Sequence, residues 1–489
     1  TTGFGLGFAL STLDGHREIG HGGAIYGFAT QLAALPDDKL GAVAITTVDG
    51  ANAVTSRVAD VALRLMLAAR NGSPLPALDT TTDVPPEEAH ALAGRYGTGD
   101  RAVDLVSTLG HLYLDPVRGG ERTELHLLHD TLIVDGRLGF GARIARAGVD
   151  AIVVGHDTLR RDAEPQPEPP PAPARWQGLI GEYGWNHETL YILERDGKLQ
   201  ALIEWFFRYP LEEVSPDVYR MPNWGLYDGE RLVFTRDANG RATRVVAAGV
   251  TFPRRATGPE DGSQFRITPL RPPGELRSEA LAAQPPHEKG TFRPSDLVEL
   301  VTLDTSIKLD IRYATSNNFM GTPLYQEGRA FMQRPAAEAV VRASRWLHQR
   351  GYGLLIHDAY RPWYVTKMFW DATPDDKKVF VADPSQGSRH NRGCAVDLTL
   401  YELATGRPVR TTGGYDEMTD RSYPDYPGGT SRQRWLRALL RQAMELQGFS
   451  VYEAEWWHFD YKDWRQYGIA NVPFDRIAPA GRTAGGAHE

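Results

Sequence analysis

The sequence predicts a multidomain chain that ends in an α+β domain, preceded by two small antiparallel β modules and, at its start, a strand, hairpin and helix segment. Three observations predict it. The 489 residues suggest about three domains at roughly 150 residues each. Three stretches rich in proline or small polar residues, Asn71 to Glu88, Arg161 to Ala174 and Pro269 to Pro286, interrupt the hydrophobic patterning, and such segments stay extended and solvated as linkers do. Finally, the blocks differ in pattern: short β-rich runs between turns up to Thr268, then strands mixed with helices from about Thr291. The blocks are therefore 1–70, 89–161, 175–268 and 291–489.

In the first block, two β-branched and apolar runs, Thr30 to Leu35 and Ala42 to Thr47, flank Pro36-Asp37-Asp38-Lys39-Leu40-Gly41, which is hairpin chemistry. Asn52 to Ala69 then carries Val54, Val58, Val61, Ala62, Leu65 and Met66 at helical spacing. The second and third blocks share an echo, Leu92-Ala93-Gly94-Arg95-Tyr96-Gly97 and Leu179-Ile180-Gly181-Glu182-Tyr183-Gly184, 87 residues apart. Two similar β meanders are the simplest reading. Neither clusters His, Cys or acidic residues at a ligand spacing, so both are assigned a binding or packing role. Trp205, Phe206, Phe207 and Tyr209 read as core aromatics of a small barrel in preference to a groove. The last block places strands at Gly353 to Asp358 and Cys394 to Leu400, and helices at Arg334 to Gln349 and Arg432 to Gln447.

Charge and composition narrow the ligand. A net charge of -8 without a block of Lys or Arg gives no footprint for nucleic acid or an anionic membrane, and no stretch approaches the roughly 20 apolar residues of a membrane span. Small ligands remain. The single cysteine, Cys394, forms no internal disulfide and reads as a small buried strand residue. The sequence opens without Met, inside what reads as a strand-rich segment, and is expected to be a fragment or a processed product.

The chemistry concentrates in the last block. His390 and Asp397 lie seven residues apart around Asn391-Arg392-Gly393, so a turn there lets both side chains face one point. Glu455-Trp456-Trp457-His458 supplies a second imidazole and another carboxylate. Two His and one Asp suit a catalytic Zn²⁺, whose fourth position is kept for water, and Glu455 is left free to act as a base. Asp358-Ala359-Tyr360-Arg361-Pro362 follows an apolar run, Leu354-Leu355-Ile356, and delivers a charged pair to a strand end. A structural ion pair between Asp358 and Arg361 is the plainer alternative.

These residues resemble the D-alanyl-D-alanine dipeptidases of the VanX type, zinc metallopeptidases related to the D-Ala-D-Ala carboxypeptidases and the hedgehog signalling fold. The resemblance covers roughly Leu297 to Ile477. It rests on Tyr313-Ala314-Thr315 with Asn318-Phe319 and Gly321, on Asp358 to Pro362, on Ser388-x-His390-x-x-Gly393 to Asp397, on Tyr415-Asp416-Glu417-Met418, and on Glu455 to His458. It implies one zinc per chain on His390, Asp397 and His458, Glu455 as catalytic base and Arg361 as transition-state stabiliser. It further implies that Asp416 receives the free ammonium group of a small D,D-dipeptide, with Ser388 near the substrate. The implied reaction is hydrolysis of D-Ala-D-Ala. The alternatives are a D,D-carboxypeptidase on peptidoglycan stems and a non-catalytic cell-wall binding protein with a structural zinc.

Thr1 to Arg70 resembles the C-terminal end of the class C β-lactamase and penicillin-binding-protein fold. Gly20-His21-Gly22-Gly23 stands where that family carries a Lys-Thr-Gly or His-x-Gly strand. No Ser-x-x-Lys or Tyr-x-Asn occurs before Arg70, so the segment is expected to be a truncated serine hydrolase without activity, with His21 a remnant pocket wall. The fusion points to a parent protein outside the cytoplasm, periplasmic or at the cell wall, although dipeptidases of this resemblance can be cytoplasmic.

Overall fold

The computed structural model describes residues 3–25, 27–48, 50–108, 111–148, 150–162, 167–186, 188–203, 207–224, 227–260 and 262–477. Trp205 and Phe206, named above as barrel aromatics, lie outside the described residues. The chain forms several antiparallel β-sheets and a C-terminal α+β domain. It divides into two compact units, Thr1–Gln166 with Leu202–Pro210 and Trp224–Leu226, and Pro167–Ala201 with Leu211–Asn223 and Tyr227–Glu489. Among the described residues no helix is long and apolar enough to cross a membrane.

The first unit opens with an antiparallel sheet in sequence order, β1 (Gly3–Gly5), β2 (Phe8–Leu13), β3 (His16–Ile25), β4 (Phe28–Leu35) and β5 (Leu40–Thr46), followed by α1 (Asn52–Asn71). The helix ends at Gly72, whose left-handed φ of 63° lets its N–H cap the Ala68 and Ala69 carbonyls. The hairpin and helix are where the sequence places them, but the packed face of the helix is different. Thr55, Ala59, Leu63 and Leu67 are the buried residues, while Val54 and Val58 are exposed. The sheet presents Ala29, Ala33 and Ala44 among its buried residues, so small side chains bring helix and sheet close and the bulkier valines turn outward.

The echo between the two β blocks has a structural meaning. Tyr96 and Tyr183 each donate a hydroxyl hydrogen bond to the carbonyl four residues back, at Leu92 (2.8 Å) and Leu179 (2.6 Å). Arg161 donates to the Ala91 and Ala93 carbonyls, and Arg254 likewise to Gly178 and Ile180. Isolated bridges Tyr96–Arg161 and Tyr183–Arg254 occupy equivalent places in the echo. In the second block the bridge joins the two ends of one sheet, which removes an edge. In the third block, where the strands form two separate sheets and not the single meander expected, it joins the first strand of one to the end of the last strand of the other.

The C-terminal domain is a mixed sheet in the order β6 (Lys308–Leu309), β7 (Tyr352–Asp358), β8 (Ala395–Glu402), β10 (Glu455–Tyr461), β9 (Phe449–Tyr452), with only the β6–β7 pair parallel. Strands β7 and β8 are buried almost throughout, as expected of a sheet covered on both faces. Helices α2 (Arg334–His348) and α4 (Ser431–Glu445) supply part of that cover. α2 buries Ala336, Ala337, Ala339, Val340 and Ala343, small residues that allow close approach. α4 starts on a capping box, the Thr430 hydroxyl and Gln433 side chain each bonding the other's backbone N–H. Between them in sequence, α3 (Trp363–Ala372) buries Val365, Met368 and Phe369.

Candidate active site

Strand register assembles the charged residues. Asp397 of β8 lies directly opposite Asp358 of β7 and His458 of β10, so three strands carry one row of ionisable groups. His390 comes from the turn before β8, a short 3₁₀ segment His390–Arg392 ended by Gly393 at φ 69°. Glycine is needed there twice over: the backbone is left-handed, and a Cβ would meet Leu297 Cδ2 at 2.5 Å. Glu455 and His458, three apart on one strand, would point to opposite faces of a regular strand. They converge because the β9–β10 register shifts between Val451 and Tyr452, which brings Glu455 Oε2 to 3.7 Å from His458 Nδ1.

Second partners fix the two imidazoles. His390 Nδ1 donates to the Ala359 carbonyl at 2.6 Å and His458 Nε2 to Asp460 Oδ1 at 2.9 Å. Their other nitrogens, His390 Nε2 and His458 Nδ1, therefore face each other at 3.1 Å; with both rings neutral, as metal ligation requires, these are two lone pairs aimed at one point. Asp397 Oδ1 lies 3.3 Å from the first and 3.1 Å from the second, and among the described residues it is buried without a hydrogen-bond donor of its own. Ligand atoms about 2.0 Å from a tetrahedral ion are about 3.3 Å apart, which is the edge of this triangle. The donor set and the orphaned oxygen fit a zinc ion.

The surrounding electrostatics are anionic. Burial lowers the His458 pKa, but Asp460 and Asp397 outweigh it and hold the imidazolium up to about 10. Burial pushes the Glu455 carboxyl up to about 8, with the Asp397 charge adding to the rise against the pull of His458. Asp416 is raised well above the usual carboxylate range by burial and by Asp397. It sits at φ 57°, its Oδ1 accepts from the Tyr313 hydroxyl at 2.9 Å, and its Oδ2 is buried with no hydrogen-bond partner among the described residues. Arg361 donates from Nε to Asp358 Oδ2 at 2.9 Å and from Nη2 to Asp397 Oδ2 at 3.5 Å, so the ion pair considered for it exists and holds it at the site. The Ser388 hydroxyl accepts from the His390 N–H at 3.2 Å, shaping the turn that presents that ring.

All seven residues singled out in the sequence, His390, Asp397, His458, Glu455, Arg361, Asp416 and Ser388, line one cavity of about 80 Å³. Three partners were not assigned a role from sequence. Asp460 orients His458; Tyr415 donates to Asp397 Oδ2 at 3.0 Å while stacking on His357 with centroids 4.6 Å apart; Tyr313 holds Asp416. Tyr313 and Tyr415 belong to the motifs quoted above, and Asp460 is two residues beyond His458 on the same strand, the one signal available for it. Cys394 is buried, its thiol pushed up to about 12 chiefly by burial, and the metal-type cluster comprises His390, Asp397 and His458 without it.

Residues 293–474 match the peptidase M15 family, described as D-ala-D-ala dipeptidase. The D-alanyl-D-alanine dipeptidase of Escherichia coli (strain K12) is 34% identical over 166 residues, which span 34% of this chain and 84% of that one. A D-aminopeptidase of Brucella ovis (strain ATCC 25840 / 63/290 / NCTC 10512) is 27% identical over 280 residues, 51% of this chain and 48% of its own, so the chain spans about half the length of that relative. The solved structure of the octameric penicillin-binding protein homologue from Pyrococcus abyssi is 15% identical with a TM-score of 0.16, covering 42% of this chain and 36% of that one, too slight a likeness to bear on the fold. The protein is thus an enzyme of the metallopeptidase class. By its identity to the Escherichia coli protein and its coverage of it, the chain belongs to the D-Ala-D-Ala dipeptidase family.

Proposed function

We propose that the chain hydrolyses free D-alanyl-D-alanine to two D-alanines, with one zinc ion held by His390, Asp397 and His458. The observation that carries the reading is the triangle of 3.1 to 3.3 Å edges closed by those three side chains, with the buried Glu455 beside it. When bound, zinc lowers the pKa of a coordinated water towards about 7 and polarises a carbonyl. Glu455, buried 3.7 Å from His458 Nδ1, would accept the proton of an attacking water and return it to the leaving amine. Arg361, held by Asp358 and Asp397, faces the oxygen on which negative charge develops. Asp416 pairs its free Oδ2 with the substrate ammonium, so an acylated substrate would leave that buried oxygen unpaired. Ser388 keeps the turn that carries His390 in place beside the substrate.

The test is a substrate comparison. Free D-Ala-D-Ala should be cleaved, while N-acetyl-D-Ala-D-Ala and a stem pentapeptide should be poor substrates. Asp416→Asn should raise KM for the free dipeptide and narrow that gap. Equal cleavage of free and acetylated dipeptide by the unmodified protein would favour a D,D-carboxypeptidase. Binding without cleavage would favour a cell-wall binding protein.

For Thr1 to Arg70 we propose a segment of a serine β-lactamase-like fold. Five antiparallel strands with α1 against one face support this.

A further inference from the structure

A free dipeptide is a zwitterion, and the residues considered so far account for only one of its charges. Asp416 takes the ammonium. Two arginines line the cavity, Arg361 and Arg389, and they differ in how far they are already engaged. Arg361 is buried, tied through Nε to Asp358 and through Nη2 to Asp397, and lies over the Tyr313 ring (5.3 Å) whose hydroxyl holds Asp416. It therefore stands at the ammonium flank.

Arg389 stands at the other. Its Nε is 3.4 Å from Asp460 Oδ2, and Asp460 is the carboxylate that orients His458. Its guanidinium lies 5.0 Å over the Trp464 ring, and its side chain is 40% exposed. The backbone beneath is fixed: the Arg389 carbonyl accepts from Arg392 N and Cys394 N. Among the described residues its terminal nitrogens have no hydrogen-bond partner. An aromatic platform on one side and a carboxylate at Nε leave the two Nη groups as a pre-oriented fork, the geometry that binds a carboxylate in two parallel hydrogen bonds.

We infer that Arg389 binds the C-terminal carboxylate of the substrate and makes the enzyme selective for dipeptides with both ends free. The two charged groups flank the metal-ligating triangle, Asp416 on the Asp397 and Tyr313 side and Arg389 on the His458 and Asp460 side, so a dipeptide held between them lays its one peptide bond across the triangle. The inference rests on the dipeptidase reading and adds the recognition of the second terminus to it.

The experiment compares D-Ala-D-Ala with its C-terminal amide and its N-acetyl derivative, on the zinc-loaded protein and on Arg389→Leu and Arg389→Lys. The unmodified protein should prefer the free acid over the amide by about tenfold or more, the loss expected for a hydrogen bond to a charged group. Arg389→Leu should raise KM for the free acid by a similar factor, leave kcat within about threefold and erase the acid-to-amide gap. Arg389→Lys should retain part of the gap, because the charge survives and the fork does not. Zinc content should not change in either variant. Equal rates on acid and amide by the unmodified protein would overturn the inference, whatever the variants do, and so would an undiminished gap in Arg389→Leu, which would hand the carboxylate to Arg361. The N-acetyl arm separates the two claims: a strong N-acetyl effect without an amide effect keeps the dipeptidase and discards Arg389, whereas no cleavage of the free dipeptide discards both.

Discussion

Two five-stranded sheets in this chain solve opposite burial problems. The sheet of β1 to β5 is antiparallel throughout and buries one face under α1, yet on its strands Leu10 is 42% exposed, Val43 65% and Ile45 68%. In the C-terminal sheet the unusual residues are polar and buried: Asp358, Asp397 and His458 stand in one row at 1%, 2% and 8% exposure. Scattered exposed apolar residues are ordinary, while buried charge is not. A row of ionisable groups survives in a sheet interior only where each is paired or where the charge serves a ligand, and here both hold. A departure that costs free energy in the folded state, as buried charge does, marks chemistry.

The comparison breaks most visibly at Glu455. Glu455→Gln should retain zinc and lose turnover by about 1,000-fold or more, since general base catalysis at the attacking water is removed, whereas loss of zinc together with activity would make Glu455 a ligand. The same group sets a pH dependence. In the metal-free protein burial holds Glu455 up to about 8, against 4.5 ordinarily, and Asp460 and Asp397 overcome burial to hold His458 up to about 10, against 6.5. Both folded-state pKa values are raised, so their stabilisation is fully present below the unfolded values and is lost as pH rises through about 8 and about 10. The melting temperature of the metal-free protein should therefore fall between pH 6 and pH 10. Zinc displaces these protons, so its affinity should rise over the same range. A flat melting profile for the metal-free protein would contradict the buried row as described.

Arg361→Ala comes next. It should lower kcat by about 100-fold, the usual cost of an oxyanion donor, with a smaller change in KM. An unchanged kcat with raised KM would recast Arg361 as a ground-state anchor.

Much of this site was legible in sequence because its residues fall into short motifs: His390 to Asp397 spans one turn and one strand start, and Glu455 to His458 one strand. What could not be read there depends on pairing. The shift at Val451 and Tyr452 that turns Glu455 towards His458 exists only between two strands. The hydroxyls of Tyr415 and Tyr313 find Asp397 and Asp416 through the tertiary fold. The buried face of α1 departs from the sequence pattern for a related reason. Bulk and spacing favour Val54 and Val58, but the alanines of the facing sheet select Thr55 and Ala59.

A smaller effect is expected from Gln264, which lies before the segment matched to the peptidase family. Its Nε2 donates to the Tyr415 carbonyl at 3.1 Å and its Oε1 accepts from Arg312 Nη1 at 2.8 Å. Tyr415 in turn reaches Asp397 and precedes Asp416, so one amide outside the matched segment steadies the loop carrying Asp416, the proposed ammonium partner. Gln264→Leu should raise KM for the free dipeptide a few-fold, about the worth of one net hydrogen bond, with kcat nearly unchanged. Gln264→Glu keeps the acceptor for Arg312 and loses the donor to Tyr415, so it should behave like the leucine variant. If it behaves like the unmodified protein, the Arg312 contact and not the loop is what Gln264 serves.

The smallest effect sharpens the contrast between the sheets. Val43 and Leu63 are both apolar and both belong to the first unit, one 65% exposed on β5 and the other fully buried in α1. If the outer face of that sheet is open to solvent, Val43→Ser removes little packing and should change stability by less than about 0.5 kcal/mol, the range for surface substitutions. Leu63→Ala leaves a cavity against the sheet and should cost about 2 to 5 kcal/mol. Thermal or denaturant unfolding of the two variants measures the difference. Similar losses in both would mean that Val43 is covered in solution, and the first sheet would then bury two faces, as the C-terminal sheet does.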